Sequence, residues 1–563
     1  MFSPPPPPIP VAEVRGADQI TGSELKVGGI ASKGAWQWIG PDQASPLELW
    51  IPLDLLIGRL GFQRVGGGDD ATLEWFGNRA ALATLAKRSL DDEVAINAAP
   101  WLKRVNATTS RRDGVLSISL KAPRVQKLRQ GRGSTAGRLV LDLTGPALMQ
   151  RQNDDLLLGV SITAVQEVQL RRIGLQVKRE RQGLRLKDSA DRPTLTLAAP
   201  WRIVIDGLSG STPRARSSGN AFQAALLNPE IQAESRRGLV FDVRTIRVGV
   251  KPVRIYRAGA PFNSRSLVLR PLAARGAQTG IRFLRQLAQP EQALLAVNGG
   301  FFNRVRQLPL GALRVDGTWL SGPILNRGAI GWTPGKRLLF NRLRLDQVMQ
   351  VKGGRRWGLG FLNSGYVQRG LSRYTRAWGP VYKALSGEEK AITVRDGVIT
   401  DQHDRSELNR GVPLSPGSSL IVSRAGAPLP AQPGDQVSIR LRASTPVGEQ
   451  PQVLAGGPLL LKNGQTVLQG RQEGFSAGFL SLSAPRTVVA QDRSRVWLMT
   501  VDGSSGSDPT LLETTLALRQ LGMLDALNLD GGSSTTLLAA NRTVMTGRGV
   551  TPRVQNGLGL VRR

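Results

Sequence analysis

The stretch Leu527-Asn-Leu-Asp-Gly-Gly-Ser-Ser-Thr-Thr-Leu537 is the point around which the rest of this 563-residue chain is organised. An apolar run ends at Asp530, and Gly531 and Gly532 let the backbone turn sharply with its amides exposed. Ser533 and Ser534 add hydroxyls at the bend. Such a bend presents several N–H groups to one anion, which suits phosphate and other oxyanions. An ordinary hairpin turn would have the same sequence.

A second apolar run, Trp497–Val501, also ends in a carboxylate, Asp502. Between the two runs, Asp508-Pro509 predicts a helix start and Gly522 its end. A strand, helix and strand of this length predict a right-handed crossover and two parallel strands. Asp502 and Asp530 should therefore emerge at one edge of a sheet, where open α/β sheets bind ligands. The pair could divide acid and base roles, although two solvated loop aspartates would look the same.

Two scarce residue types restrict the chemistry. The chain has no cysteine, which excludes disulfides, thiolate nucleophiles and cysteine metal sites. Its one histidine, His403, lies in a polar segment that predicts a turn, where a lone histidine is more often solvated than catalytic. A Ser-His-Asp triad is therefore disfavoured. No apolar stretch reaches the roughly 18 residues of a transmembrane helix.

The formal net charge is +33, and 61 of the 75 basic residues are arginines scattered along the chain. Arginine matches phosphate and carboxylate geometry, so this charge predicts a polyanionic environment: nucleic acid, an anionic cell-wall polymer or lipid headgroups. Nucleic acid ranks last, because no nucleic-acid fold motif is present and tyrosine is rare. Met1–Pro10 is proline-rich and lacks the regions of a signal peptide, so the protein is either cytoplasmic or begins upstream.

The amino-terminal half predicts three segments before a linker. Residues 1–44 are rich in proline and glycine and are expected to be disordered. Residues 45–105, with Leu47-Glu-Leu-Trp-Ile-Pro-Leu-Asp-Leu-Leu, resemble the small amino-terminal domain of copper amine oxidases, which implies a fold and no chemistry. Residues 113–210 alternate as an all-β module. Residues 211–237 begin with a run of Ser, Gly, Pro and Arg and are assigned to a linker.

Within the β module, Gly137-Arg-Leu-Val-Leu-Asp-Leu-Thr-Gly-Pro and Trp201-Arg-Ile-Val-Ile-Asp-Gly resemble the AMIN domain, which targets envelope enzymes to peptidoglycan. Any antiparallel sandwich would alternate in the same way. The resemblance implies a periplasmic or cell-envelope location.

Residues 238–563 predict one larger mixed α/β domain, so the whole chain reads as multidomain and β-rich. In Asn298-Gly299-Gly300-Phe-Phe, the glycines allow close backbone approach and the asparagine supplies neutral donors and acceptors. Arg486 and Thr487 stand where a strand begins. A guanidinium can hold both non-bridging oxygens of a phosphodiester, although a surface ion pair is the simpler interpretation.

These segments together resemble the phosphodiester glycosidase family. The resemblance rests on Asn298-Gly-Gly-Phe-Phe, Tyr374-Thr-Arg-Ala-Trp-Gly, Gly456-Gly-Pro, Pro485-Arg-Thr, Val501-Asp-Gly, Asn528-Leu-Asp-Gly-Gly-Ser-Ser-Thr and Arg553-Val-Gln-Asn-Gly-Leu-Gly, in this order. It implies hydrolysis of a sugar-1-phosphodiester, such as one of N-acetylglucosamine. Some members carry a third glycine where this chain has Ser533, which bears on substrate choice.

The residues suggest the following roles. Arg486 and the Gly531-Gly532-Ser533-Ser534 bend are assigned to the phosphodiester, and Asp530 with Asp502 to acid and base catalysis or to a divalent cation. Asn298 and Asn528 would orient the sugar or water. Gly299, Gly300, Thr487 and Thr535 complete the predicted substrate site. The rival interpretations are a non-catalytic binding protein for peptidoglycan or anionic polysaccharide, and a cytoplasmic nucleic-acid binder.

Overall fold

The protein is described by a computed structural model that covers residues 18–40, 42–66, 71–91, 93–131, 137–208, 221–503 and 507–563. The chain forms two compact units. The first unit comprises Met1–Leu53 and Ala86–Lys121, and the second comprises Asp54–Leu85 and Ala122–Arg563. The predicted domain at 45–105 is therefore divided between the two units.

The first unit is built on one seven-stranded sheet. In spatial order its strands are Lys87–Leu90, Glu93–Asn97, Glu48–Pro52, Ile30–Gly40, Asp18–Val27, Val115–Ser119 and Thr108–Arg112, and its helix is Ala99–Arg104. All neighbours are antiparallel except Asp18–Val27 with Val115–Ser119. Trp36 and Trp38, two residues apart on one strand, are both buried. The prediction of disorder is wrong for residues 18–40, whose alternating tryptophans bury one sheet face; residues 1–17 lie outside the described residues.

A short helical segment follows the strand Glu48–Pro52; it is α-helical at Leu53–Leu55 and π-helical at Leu56–Leu60, and from Asp54 onward it belongs to the second unit. A three-stranded sheet follows, formed by Gln63–Val65, Thr72–Trp75 and Asn78–Ala81.

Residues 122–208 form two four-stranded antiparallel sheets and the helix Ala164–Arg172. One sheet orders Val125–Gln130, Leu139–Leu143, Arg202–Ile205 and Thr194–Leu197, and the other orders Met149–Gln152, Asp155–Leu158, Gly183–Leu186 and Val177–Glu180. The strand at Val115–Ser119, which was expected to belong to this β module, pairs in the first unit instead. The two sheets contact the carboxyl-terminal part, where Arg285 Nε donates to Asp191 Oδ2 at 2.9 Å.

The segment assigned to a linker is partly helical. Asn228 caps the second of its two helices, Ala221–Leu226 and Pro229–Arg236. Phe222 is buried with its ring 4.6 Å from that of Phe241. The linker prediction is therefore wrong for residues 221–236, because Phe222 and Ile231 bury against the core; residues 209–220 lie outside the described residues.

Two sheets dominate the carboxyl-terminal part and share one core. The central sheet has seven strands, in the order Val240–Val248, Lys251–Pro261, Arg495–Gly503, Arg486–Gln491, Asp525–Asn528, Leu459–Lys462 and Gln465–Thr466. The second sheet orders Leu267–Ala273, Asn556–Arg562, Ala293–Asn298, Thr536–Ala539 and Arg542–Thr546. One apolar cluster contains Leu527 and Leu529, at the end of a central-sheet strand, together with Val297 and Leu558 of the second sheet. The ends of the two sheets therefore meet.

The predicted strand direction is observed, with one strand inserted. Arg495–Gly503 and Asp525–Asn528 both pair antiparallel with Arg486–Gln491, which lies between them, so they run in the same direction. The connecting helix, Leu511–Gln520, begins later than predicted. Its N-cap is Thr510, whose hydroxyl accepts from the Glu513 amide, while Asp508 accepts from the Gly503 amide. Gly522 follows the helix in a left-handed conformation, as expected.

The remaining elements surround these two sheets. A five-stranded sheet orders Thr318–Ser321, Leu313–Val315, Gln452–Ala455, Gly328–Trp332 and Leu339–Arg342, and another orders Phe361–Leu362, Gly370–Thr375, Ser418–Arg424, Glu389–Arg395 and Val398–His403. A three-stranded sheet orders Arg356–Gly358, Leu345–Val351 and Val437–Ala443. Two-stranded sheets are formed by Arg282–Phe283 with Arg553–Val554, by Phe302–Asn303 with Leu308–Pro309, and by Val381–Tyr382 with Val412–Pro413. Short helices are Leu284–Ala288, Gln289–Glu291, Arg405–Arg410, Pro446–Glu449, Gly470–Glu473, Ala477–Ser481 and Gly532–Ser534.

His403 ends a strand, where its Nε2 lies 2.8 Å from Thr393 Oγ1, so the predicted turn is wrong. None of the helices in the described part of the chain is both long and apolar enough to cross a bilayer.

Phe222→Ala tests whether the helices at 221–236 belong to the core. Removing a buried ring leaves a cavity, and we expect the free energy of unfolding to fall by about 3–5 kcal/mol. Urea unfolding followed by tryptophan fluorescence measures it. Leu227→Ala is the control, because Leu227 is 72% exposed and its loss should cost less than about 0.5 kcal/mol. Equal effects of the two changes would contradict the packing.

Candidate active site

The loop after Asp525–Asn528 crosses from the central sheet to the second sheet. The Leu529 amide donates to the Thr487 carbonyl at 2.8 Å, and the Asp530 amide donates to the Gly299 carbonyl at 3.0 Å. At Gly531, a Cβ atom would stand 2.9 Å from the Pro485 carbonyl oxygen. The loop thus runs so close to its neighbours that a side chain at 531 would displace it.

Asn298 fixes this loop from the opposite sheet. Its Nδ2 donates to the Asp530 carbonyl at 2.7 Å, and its Oδ1 accepts from the Thr487 hydroxyl at 2.7 Å and the Thr536 amide at 3.0 Å. The side chain is buried. The predicted role of Asn298 in orienting a sugar or water does not fit this geometry, because its hydrogen-bonding atoms are used within the protein.

Asn556 holds the double glycine in place. Its carbonyl accepts from the Gly299 amide at 2.9 Å, and its Oδ1 accepts from the Gly300 amide at 2.8 Å. A Cβ atom on Gly299 would stand 2.0 Å from that Oδ1. Sequence reasoning placed Asn556 in the closing motif but gave it no role. Gly299 and Gly300 therefore allow the backbone to lie directly against the Asn556 side chain.

Backbone carbonyls of the protein accept from several amides at the bend. The Gly532 amide donates to the Pro485 carbonyl at 2.8 Å, and those of Ser534 and Thr535 donate to the carbonyls of Gly531 and Gly532 at 3.1 and 3.3 Å. The predicted cradle of amides from Gly531 to Ser534 is therefore wrong at Gly532 and Ser534, because the first amide donates to Pro485 and the second closes a 3-10 turn.

The hydroxyls of the bend instead contact charged groups. Ser534 Oγ accepts from Arg304 Nη2 at 3.2 Å, and Ser533 Oγ donates to Asp54 Oδ2 at 3.3 Å. The same Arg304 Nη2 lies 3.8 Å from Asp530 Oδ2. Arg304 and Asp54 were both missed from the sequence. Arg304 is one of 61 arginines and stands in no motif, and Asp54 lies in the segment expected to carry no chemistry.

A second arginine, Arg327, packs on a cluster of aromatic rings. Its guanidinium lies 4.2 Å from the centre of the Phe475 ring and 5.3 Å from that of Phe301. Burial lowers the pKa of Arg327 to about 10, against the opposing fields of Tyr366, Glu473 and Asp530. Arg327 is therefore still a cation at neutral pH.

Arg486 completes the cluster from the central sheet. The Phe475 and Phe479 rings stack at 4.7 Å, and the Arg486 guanidinium lies 5.5 Å from the Phe479 centre. Arg486 is buried, donates to the Leu482 carbonyl, and its Cδ would lie 3.6 Å from a Cβ on Gly531. The structure thus places Arg486 against the loop, where sequence reasoning expected it.

Other predicted site residues lie apart or below the surface. Asp502 binds Arg254 in a bidentate pair at 2.9 and 2.7 Å. One strand separates the strands that carry Asp502 and Asp530, a spacing of about 10 Å. Asn528 is fully buried, with Nδ2 donating to the Gly457 carbonyl at 2.8 Å. Thr487 and Thr535 are buried too, so the predicted substrate contacts of Asn528, Thr487 and Thr535 do not fit their burial.

The donor set around Asp530 does not suit a divalent cation. Among the residues that the structure describes, no three carboxylate or imidazole groups converge as metal ligands. Asp530 is instead paired with Arg304, whose positive charge would repel a metal ion. An oxyanion is the ligand that this arrangement favours.

Comparison with known proteins gives a family match that overlaps part of this site. Residues 379–561 match the family model described as phosphodiester glycosidase. This range contains Arg486 and the loop from Asp530 onward, whereas Asn298, Arg304 and Arg327 precede it. No curated protein matches the chain.

Solved structures resemble the chain over longer ranges. A hypothetical protein from Synechocystis is 28% identical, with a TM-score of 0.56, and the match covers 96% of this chain and 99% of that one. A protein from Burkholderia pseudomallei is 16% identical with a TM-score of 0.46, covering 77% and 97%. The catalytic domain of zebrafish N-acetylglucosamine-1-phosphodiester alpha-N-acetylglucosaminidase is 15% identical with a TM-score of 0.32, covering 58% and 83%.

Asn298→Ala tests the clamp between the two sheets. It would leave the Thr487 hydroxyl, the Thr536 amide and the Asp530 carbonyl without this partner, so we expect a loss of about 3 kcal/mol in stability. Hydrogen exchange at residues 529–537 should accelerate most. Asn341→Ala is the control, because the Asn341 side chain accepts from the adjacent Arg342 amide and lies on a different sheet. Unchanged exchange in the loop would contradict the assigned role.

Proposed function

We propose that this chain is a hydrolase that cleaves a sugar-1-phosphodiester, with Asp530 as its central catalytic group. The observation that carries the proposal is the position of Asp530 beside Arg304, on a loop against which Arg486 packs. The family match over residues 379–561 supports the reaction class.

The charge balance of the site suits a phosphodiester. Arg304 lies between Asp530 and Asp54, and Arg486 packs against the same loop. This positive charge suits a monoanionic phosphodiester. Guanidinium groups bind its non-bridging oxygens in a fixed geometry, and aromatic faces behind Arg327 and Arg486 exclude water. Partial desolvation strengthens these interactions.

The reaction adds water across the bond between the anomeric carbon and the phosphate oxygen. Asp530 would accept the proton of the attacking water, whose oxygen joins the sugar carbon while the electron pair of the broken bond stays on the phosphate. The leaving phosphate monoester has a second pKa near 6, so it needs charge stabilisation more than a proton. Arg304 and Arg327 would supply that stabilisation, and Arg486, which is buried, would add its charge from beneath the loop without touching the substrate.

The half-buried Phe301 and the rings of Phe475 and Phe479 offer a surface for one face of the sugar. N-acetylglucosamine, as in the family's implied substrate, fits this class of contact. An envelope glycopolymer as the natural substrate, a periplasmic location and an affinity for peptidoglycan remain proposals that rest on the resemblance of the upstream segments and on the charge of +33.

Asp530→Asn should reduce release of free sugar from a synthetic N-acetylglucosamine-1-phosphodiester by about 10²–10⁴-fold, the usual contribution of a general acid or base. Running the wild-type reaction in ¹⁸O-water should place the label in the sugar. Asp242→Asn is the control, because Asp242 pairs with Arg257 and Arg244 on the central sheet. Undiminished turnover in Asp530→Asn would refute the assignment, and tight binding without turnover in the wild type would favour the binding-protein alternative.

Arg327→Met should raise the KM for the phosphodiester about tenfold, since one charged contact contributes about 1.5 kcal/mol or more. Methionine keeps an apolar contact with the Phe475 ring while removing the charge. Arg337→Met is a matched control, because Arg337 also lies over a phenylalanine, 5.1 Å from the Phe262 centre, but is exposed. Similar KM values for the two variants would argue against a substrate contact at Arg327.

A further inference from the structure

Asp54 reaches the candidate active site from a segment far upstream of the family match. Its carboxylate accepts from Nη1 of Arg304 and, at 3.3 Å, from the hydroxyl of Ser533. Arg304 turns its other terminal nitrogen, Nη2, toward Ser534 and Asp530. One guanidinium therefore lies between two carboxylates, and Asp54 is the more exposed of the two, with 31% of its side chain accessible against 10% for Asp530.

The segment that carries Asp54 is held firmly in the second unit. A Cβ on Gly58 would stand 2.3 Å from Val550 Cγ1, which shows how closely this helical turn packs on the carboxyl-terminal part. Arg59 is buried, and its Nη2 donates to the Gly549 carbonyl at 2.8 Å. Asp54 is thus fixed relative to the loop at Asp530.

We propose that Asp54 is a specificity residue, which shares the Arg304 guanidinium with Asp530 and so makes the site favour a monoanionic phosphodiester over a dianionic phosphate monoester. The inference rests on the proposed function, because these two ions are the substrate and the product of that reaction. It adds a carboxylate that lies outside the phosphodiester glycosidase motifs and outside the matched range.

The physical reason is the difference in ligand charge. Above pH 7 a phosphate monoester carries nearly two negative charges, whereas a diester carries one. Each fixed carboxylate beside Arg304 repels the dianion about twice as strongly as the monoanion. Asp54 also occupies one edge of the guanidinium, so an incoming oxyanion meets a cation whose charge is already partly neutralised. Discrimination of this kind would speed release of the product.

The test compares two small probes, methyl phosphate and dimethyl phosphate, at pH 8. Binding of each to the full chain is measured by isothermal titration calorimetry for wild type and Asp54→Asn. Asparagine keeps an oxygen for Arg304 and removes the charge. We expect methyl phosphate to bind about tenfold more tightly to the variant and dimethyl phosphate to change by threefold or less, since the first ion carries twice the charge.

A purely structural role for Asp54 would weaken both probes or shift them equally, and either result would overturn the proposal. Asp242→Asn, which removes a similarly exposed carboxylate from another arginine pair, should leave the ratio of the two affinities unchanged. If Asp54→Asn does not fold, Asp54→Ser offers the same loss of charge with a hydroxyl acceptor, and Asp54→Glu should retain the wild-type ratio.

Binding and turnover are measured separately, so the two proposals can fail independently. A changed ratio without sugar release by the wild type would support the role of Asp54 and refute the hydrolase. Sugar release with an unchanged ratio would refute the role of Asp54 alone. Failure of both probes to bind the wild type would overturn the inference.

Discussion

The amide of Asn298 is the interaction on which the candidate site depends. It bonds the Thr487 hydroxyl on the central sheet and a carbonyl and an amide of the loop from Asp530 to Thr536, and so it joins the edges of two sheets. Only a side chain that both donates and accepts can do this. Because all three partners are buried, each would lose a hydrogen bond that water could not easily replace. The position of the Asp530 carboxylate is therefore set by contacts beneath the surface.

Above this clamp, two of the arginines pack against aromatic rings. The guanidinium groups of Arg327 and Arg486 lie over the rings of Phe475 and Phe479, whose π faces attract a cation. Arg304, in contrast, lies between the carboxylates of Asp54 and Asp530. The arginines around the loop are therefore held in two different ways, by ring faces and by carboxylates.

Sequence reasoning located the loop and its neighbours because strand ends followed by paired glycines have a local signature. The length of the crossover predicted that the strands before Asp502 and Asp530 run in the same direction, and they do. The motif around Arg486 also predicted a residue beside the loop. The intervening strand could not be foreseen, and it is this strand that separates Asp502 from Asp530. Arg304 and Asp54 escaped notice because contacts across 230 to 479 residues leave no local pattern. A motif does not show which of its side chains are buried. Asn298, Asn528 and Thr487 were therefore assigned substrate contacts that do not fit their buried positions.

The glycines at 299 and 531 have a consequence for how such a site could diverge. A Cβ at 299 would collide with the Asn556 side chain and one at 531 with the Pro485 carbonyl, so a side chain at either position would displace a group that shapes the loop. Substitution of either glycine would therefore disturb the neighbouring groups at the base of the site. New substrate preferences would have to arise at its rim, where the half-buried Phe301 and Phe479 and the exposed Leu325 tolerate replacement. Homologous enzymes with different sugars would then share an unchanged base of the site and differ in a few bulky residues around it.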